Sequence, residues 1–102
     1  MTFVTNLAEV LPEVLSGSIV SRKVFADEKV RVVLFGFAAG ESLSEHTAAQ
    51  AAMLHFVQGQ ARVTLGEEEV TAVPGTFIHM PAHLPHSVYA ETDVVMLLML
   101  LK

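Results

Sequence analysis

The stretch GTFIHMPAHLPHSVY, Gly75 to Tyr89, decides the reading of this chain. It predicts a short strand, a turn pinned by proline at each end, and a second strand that opens on a histidine. Pro81 and Pro85 each fix φ and lack an N–H, so the backbone between them cannot continue a central ladder. His79, His83 and His86 fall here, three of the five histidines in the chain. His46 and His55 lie upstream.

Strand signals extend outward from this turn in both directions. Upstream, Ile19 to Phe25 and Val30 to Ala38 read as strands separated by a turn at Asp27-Glu28. In the second of these, Val30, Val32 and Leu34 share one face and Arg31, Val33 and Phe35 the other. Both faces are largely apolar, which predicts cover on both sides. Gly40 to Glu45 reads as a loop by composition. Ala52 to Val57 is apolar again. Ala61 to Leu65 alternates, with Arg62 and Thr64 facing out, and Gly66-Glu67 turns it into Glu69 to Val73. Downstream, Ser87 to Ala90 and Val94 to Leu101 complete about eight strands. VVMLLMLL, Val94 to Leu101, has no polar alternation and predicts a strand buried on both faces. Residues 1–17 form an irregular lead-in. There Thr5 or Asn6 can cap a short turn over LAEVL, and Pro12 interrupts any long helix. This inventory predicts an all-β fold, either a closed barrel or a two-sheet sandwich.

Composition narrows the function. A chain of 102 residues is one domain. Its hydrophobic content of 52%, with a mean hydropathy of +0.51, predicts an oligomer interface. A formal net charge of −5 without a Lys/Arg cluster argues against nucleic acid or an anionic membrane as partner. With no cysteine, disulfides, thiolate catalysis and Cys-ligated zinc are excluded. MTFVTNLAEV lacks the basic and apolar regions of a signal peptide, and the longest apolar run is too short to span a membrane. The expected location is the cytoplasm.

Imidazole is the commonest metal ligand and the usual acid–base group near neutral pH. His46 and His86 each follow a turn-rich loop and open a strand. They either share a pocket at a barrel mouth or form a hydrogen-bonded pair at a rim. His55, in Met53-Leu54-His55-Phe56-Val57, points away from the face shared by Ala52, Leu54 and Phe56 unless a bulge near Ala49–Gln50 reverses the parity. Tyr89, the only tyrosine, is a candidate proton donor.

Gly40, then five residues and His46, then Gly59, resembles the first of two motifs of the cupin superfamily. Gly75, then five residues and Pro81, His83 and His86, resembles the second. The resemblance runs from about residue 30 to 101 and is greatest to small single-domain cupin 2 conserved barrel proteins. The more specific half is MPAHLPH, which is similar to an I-P-x-G-x-x-H turn with His83 at the usual Gly or Asn. The implied fold is a double-stranded β-helix, or jelly-roll barrel, commonly dimeric. In metal-bearing cupins the first motif supplies His-x-His and a downstream Glu or Gln, and the second supplies one more His. Transferred here, His46 and His86 are metal ligands, while Ala48 and Ala52 occupy the other two positions. His55 or His83 is then the candidate third ligand, with Gln50 or Glu45 as further donors.

The resulting expectation is a single cupin domain over 1–102 with a His-lined pocket. The pocket takes a small organic ligand and a divalent metal (Fe, Mn, Ni or Zn) at a degenerate site. Metal-dependent oxidation, hydrolysis or isomerisation is left open, with His83 and Tyr89 as catalytic candidates. The alternative is a metal-free binding or sensor barrel without catalytic activity. A homodimer is expected, and neither nucleic acid nor membrane is expected as a partner.

Overall fold

The computed structural model describes residues 1–11 and 13–102. Pro12, expected to interrupt the lead-in, lies outside the described residues. Asn6 caps a single 3-10 turn, Leu7–Val10, its side-chain oxygen accepting from the Ala8 N–H. Among the described residues nine strands follow: β1 (Ile19–Ala26), β2 (Val30–Phe37), β3 (Ser42–His46), β4 (Ala52–Gln58), β5 (Ala61–Leu65), β6 (Glu68–Ala72), β7 (Phe77–Met80), β8 (His86–Ala90) and β9 (Val94–Leu101). They form a five-stranded sheet in the order β1-β2-β9-β4-β7 and a four-stranded sheet in the order β3-β8-β5-β6. Every pairing is antiparallel. Two such sheets sharing one apolar core make the jelly roll expected from the sequence.

The strand missed by composition is β3. Ser42, Ser44 and Glu45 are polar because β3 is an edge strand with an exposed face, not because the chain leaves the sheet. An edge strand exposes one row of backbone groups, so polar side chains also discourage pairing with another chain.

The core follows period-two alternation. On β4, Ala52, Leu54 and Phe56 are buried, while Met53, His55 and Val57 are only partly so. On β7, Ile78 and Met80 point inward and His79 stays exposed, which settles a parity the sequence left open. The inner faces meet around Phe37, Phe56, Leu54, Val63 and Val94, all fully buried. Each such side chain contributes about 1.5–3 kcal/mol by leaving water.

The outer face of the larger sheet is covered only in part. On β2 the Leu11 and Val14 side chains lie against Gly36, where an added Cβ would run into them. Leu34, on the same outer face, is fully buried. The outer face of β9 stays half-buried at Val95, Leu97 and Met99. Double-sided cover therefore holds for part of β2, whereas β9 lacks full cover within one chain.

Two turns are fixed by polar contacts. The Asp27 carboxylate accepts from the Lys29 and Val30 N–H groups, and these bonds hold its carboxyl below the usual range. With the folded pKa lowered, this contribution is present at neutral pH and is lost as pH falls through the folded pKa. At the β4–β5 turn, Gly59 has φ +83 and its backbone presses against the Asp93 carbonyl, leaving no room for a Cβ. Gly40 has φ +87 but open space around it. A non-glycine residue costs about 1–2 kcal/mol in this left-handed region. Gly40→Ala is therefore expected to lose about that amount in urea denaturation. Gly59→Ala should lose clearly more, since the β4–β5 turn must also move; equal losses would mean that the turn yields freely.

Candidate functional site

The site is built where the edge strand β3 meets β8. Ser42 pairs with Tyr89, Leu43 with Val88, and His46 with His86, with an irregularity between Leu43 and His46. Between the last two pairs Ser44 and Glu45 of β3 stand against Ser87 alone, so β3 carries one extra residue. Such a bulge lets residues an odd number apart face the same side. Leu43 and His46 consequently both turn inward, beside His86 and Val88. The bulge lies within β3 and not near Ala49–Gln50, so the parity of β4 stays as the alternation predicts, with His55 turned away from Ala52, Leu54 and Phe56.

The two imidazoles meet edge to face, ring centroids 4.2 Å apart at 60°. His86 is buried and His46 sits at the exposed rim. Each ring is anchored the same way: His46 Nδ1 lies 2.8 Å from the Ser44 carbonyl oxygen, and His86 Nδ1 lies 2.8 Å from the Leu84 carbonyl oxygen. A carbonyl can only accept, so in each neutral ring the proton resides on Nδ1 and Nε2 keeps its lone pair. No hydrogen bond of the described residues engages either Nε2, and no buried side-chain nitrogen or oxygen among them lacks a partner. Both Nε2 atoms are therefore without a partner among the described residues, on two rings that line one cavity.

That cavity has a volume of about 190 Å³. His46, His86 and Gln50 are its polar side chains; Ala48, Ala52, Met80, Pro81, Leu84, Leu98 and Leu100 complete the wall. A smaller space of about 90 Å³ continues inward past the same two histidines to Phe35, Leu54 and Met96. The rim is tied by a backbone bond from the His83 N–H to the Ala48 carbonyl, 2.7 Å long.

A cupin domain profile matches residues 33–101 of the chain. The chain belongs to the cupin family. Solved structures agree. A cupin superfamily protein from Desulfitobacterium hafniense DCB-2 is 28% identical, with a TM-score of 0.87 over 93% of this chain and 86% of the other. A cupin 2 conserved barrel domain protein from Leptotrichia buccalis is 35% identical with a TM-score of 0.87; the match covers 95% of this cupin but only 47% of that chain. KdgF from Halomonas sp., at 21% identity and a TM-score of 0.81 over 100% and 94% of the two chains, shares the fold. The search of curated proteins returned no match.

The cupin motifs fall where the sequence placed them: His46, Ala48, Ala52 and His86 line one cavity. The other candidates do not join them. His55 is on the outer face of β4, opposite Phe77 and Leu97. His83 is exposed in the 81–85 turn with φ +69 and does not line the cavity. Tyr89 is on the outer face of β8, its ring 4.6 Å from the Arg62 guanidinium, so its hydroxyl faces away from the histidine pair. Glu45 does not line the cavity either. Of the donors added to the histidine pair, only Gln50 reaches the wall. Sequence reasoning missed Leu84, Leu98 and Leu100 as lining residues. The signal for the last two was present in the parity of β9 with Met96.

The donor set does not suit a resident divalent metal. Among the described residues no group of three or more His, Cys, Asp or Glu converges. Two neutral imidazoles and a neutral amide leave a dication uncompensated in an apolar cavity, and stable sites use three or more protein ligands. If Ala48 and Ala52 mark the missing positions, Ala48→His with Ala52→Glu should create a site. Zinc or manganese affinity is expected to rise at least 100-fold over the parent by titration calorimetry; an unchanged affinity would mean that the positions do not converge on the histidine pair.

Proposed function

We propose that this cupin binds a small, mostly apolar organic molecule between its sheets, held by His46 and His86 without a resident metal. The observation that carries this reading is the composition of the cavity wall: two oriented imidazoles and one amide in an otherwise aliphatic lining. A cavity of about 190 Å³ compares with an engineered protein cavity of about 150 Å³ that takes up benzene. Apolar walls with a few convergent polar groups are the usual form of a small-molecule site. Among the described residues no carboxylate, hydroxyl or amine side chain lines the cavity beside the two histidines, which favours binding over catalysis.

Two measurements test this. Elemental analysis of protein purified without a histidine tag should find well under one metal per chain. One metal per chain, lost in the His46→Ala/His86→Ala variant, would overturn the metal-free reading. Methyl NMR with a panel of small ring compounds should show shifts at Met80, Leu84 and Leu98; a panel that leaves these methyls unmoved would overturn the ligand pocket.

The same reading includes a homodimer. Val95, Leu97 and Met99 on the outer face of β9, with Met53 and His55 on β4 and Val32 on β2 beside them, form a half-exposed, mostly apolar strip without a carboxylate, lysine or arginine of its own. A surface without charges is complementary to a second copy of itself about a two-fold axis. Sedimentation should give the mass of two chains for the parent and one for Leu97→Glu. A monomeric parent would sink the dimer and leave the pocket reading intact.

A further inference from the structure

The way the two rings are anchored restricts what the pocket can recognise. This step rests on the ligand-pocket reading above and names the chemistry of the ligand. Both Nδ1 atoms give their protons to carbonyls of their own strands or turns, at Ser44 and Leu84. Nε2 lies across each ring from Nδ1 and has no partner among the described residues, and both rings line the shared cavity. In their neutral form the two neighbouring rings therefore offer this cavity hydrogen-bond acceptors and no donor. A carboxylate or ketone, itself only an acceptor, would set lone pair against lone pair. Polar groups left unpaired in this way weaken binding.

We infer that His46 and His86 select a neutral, hydroxyl-bearing ring compound, of the phenol or catechol class, over a carboxylate of the same size. Each hydroxyl can donate to an Nε2 and still accept from the Gln50 amide, the remaining polar side chain of the wall. Two adjacent hydroxyls match two adjacent acceptors, and the ring packs on Met80, Leu84 and Leu98. An ammonium would also donate, but no carboxylate lines the cavity to balance its charge, so desolvation counts against it.

Three probes of similar size, catechol, phenol and benzoate, discriminate these cases when titrated at pH 8 while the Met80, Leu84 and Leu98 methyls are observed. Catechol is expected to bind at least tenfold more tightly than benzoate, with phenol between them. In His46→Phe, which changes an exposed rim residue, the ratio should fall towards one while the methyls still respond. Nitrogen NMR of the imidazoles reads the tautomer without any ligand: Nε2 should be the unprotonated nitrogen in both rings. Benzoate binding as well as catechol, or a proton on either Nε2, overturns this selection and leaves the pocket in place. If none of the probes moves the methyls, the selection and the pocket reading fall together.

Discussion

The structure depends on burying a strand that has no polar face. Val94 to Leu101 is apolar at every position, and the fold places it in the middle of the larger sheet, between β2 and β4. There its backbone is paired along both edges. Its inner side chains, Val94 and Met96, fill the core, and Leu98 and Leu100 continue the same face to the cavity wall. A central position is the one place where such a strand exposes neither its hydrogen-bonding groups nor most of its surface. The hairpin β1–β2 and the pair β4–β7 are held in one sheet only through it. The shape of the cavity is therefore set as much by β9 as by the motif residues.

The histidine pair shows how a bulge and a proline turn act together. The extra residue in β3 brings His46 onto the same side as Leu43 and opposite His86. Pro85 ends the turn immediately before His86, and the Leu84 carbonyl is left free to accept from its ring. Both imidazoles are thus oriented by backbone two residues upstream of each. With alanine at 48 and 52, Gln50 is the one other polar side chain in the wall of the cavity that the rings line.

Much of this was legible in the sequence. Periodicity identified β1, β2, β4, β5 and β9, and the proline-bounded turn located β7 and β8. The motif spacing put His46 and His86 together and put Ala48 and Ala52 beside them. What stayed hidden depended on tertiary placement. Ser42 to Glu45 reads as loop because an edge strand facing water has the composition of a loop. The acceptor character of the rings was invisible because it depends on which carbonyls lie within hydrogen-bonding distance of Nδ1. Tyr89 and His55 became candidates by residue type alone, and strand parity directs both outward.

The position of β9 in the sheet also governs the order of assembly. It is the last strand in sequence, yet the two parts of the larger sheet meet only across it. A chain made from its amino end can form the β1–β2 hairpin and the β5–β6 hairpin early, since both are local. The larger sheet cannot close until Val94 to Leu101 has been synthesised and inserted. Non-local pairing of this kind slows folding and leaves apolar edges exposed in the interval. For this chain that interval falls between the edges of β2 and β4, the two strands β9 must join, and it ends only with the most apolar segment of the sequence in place.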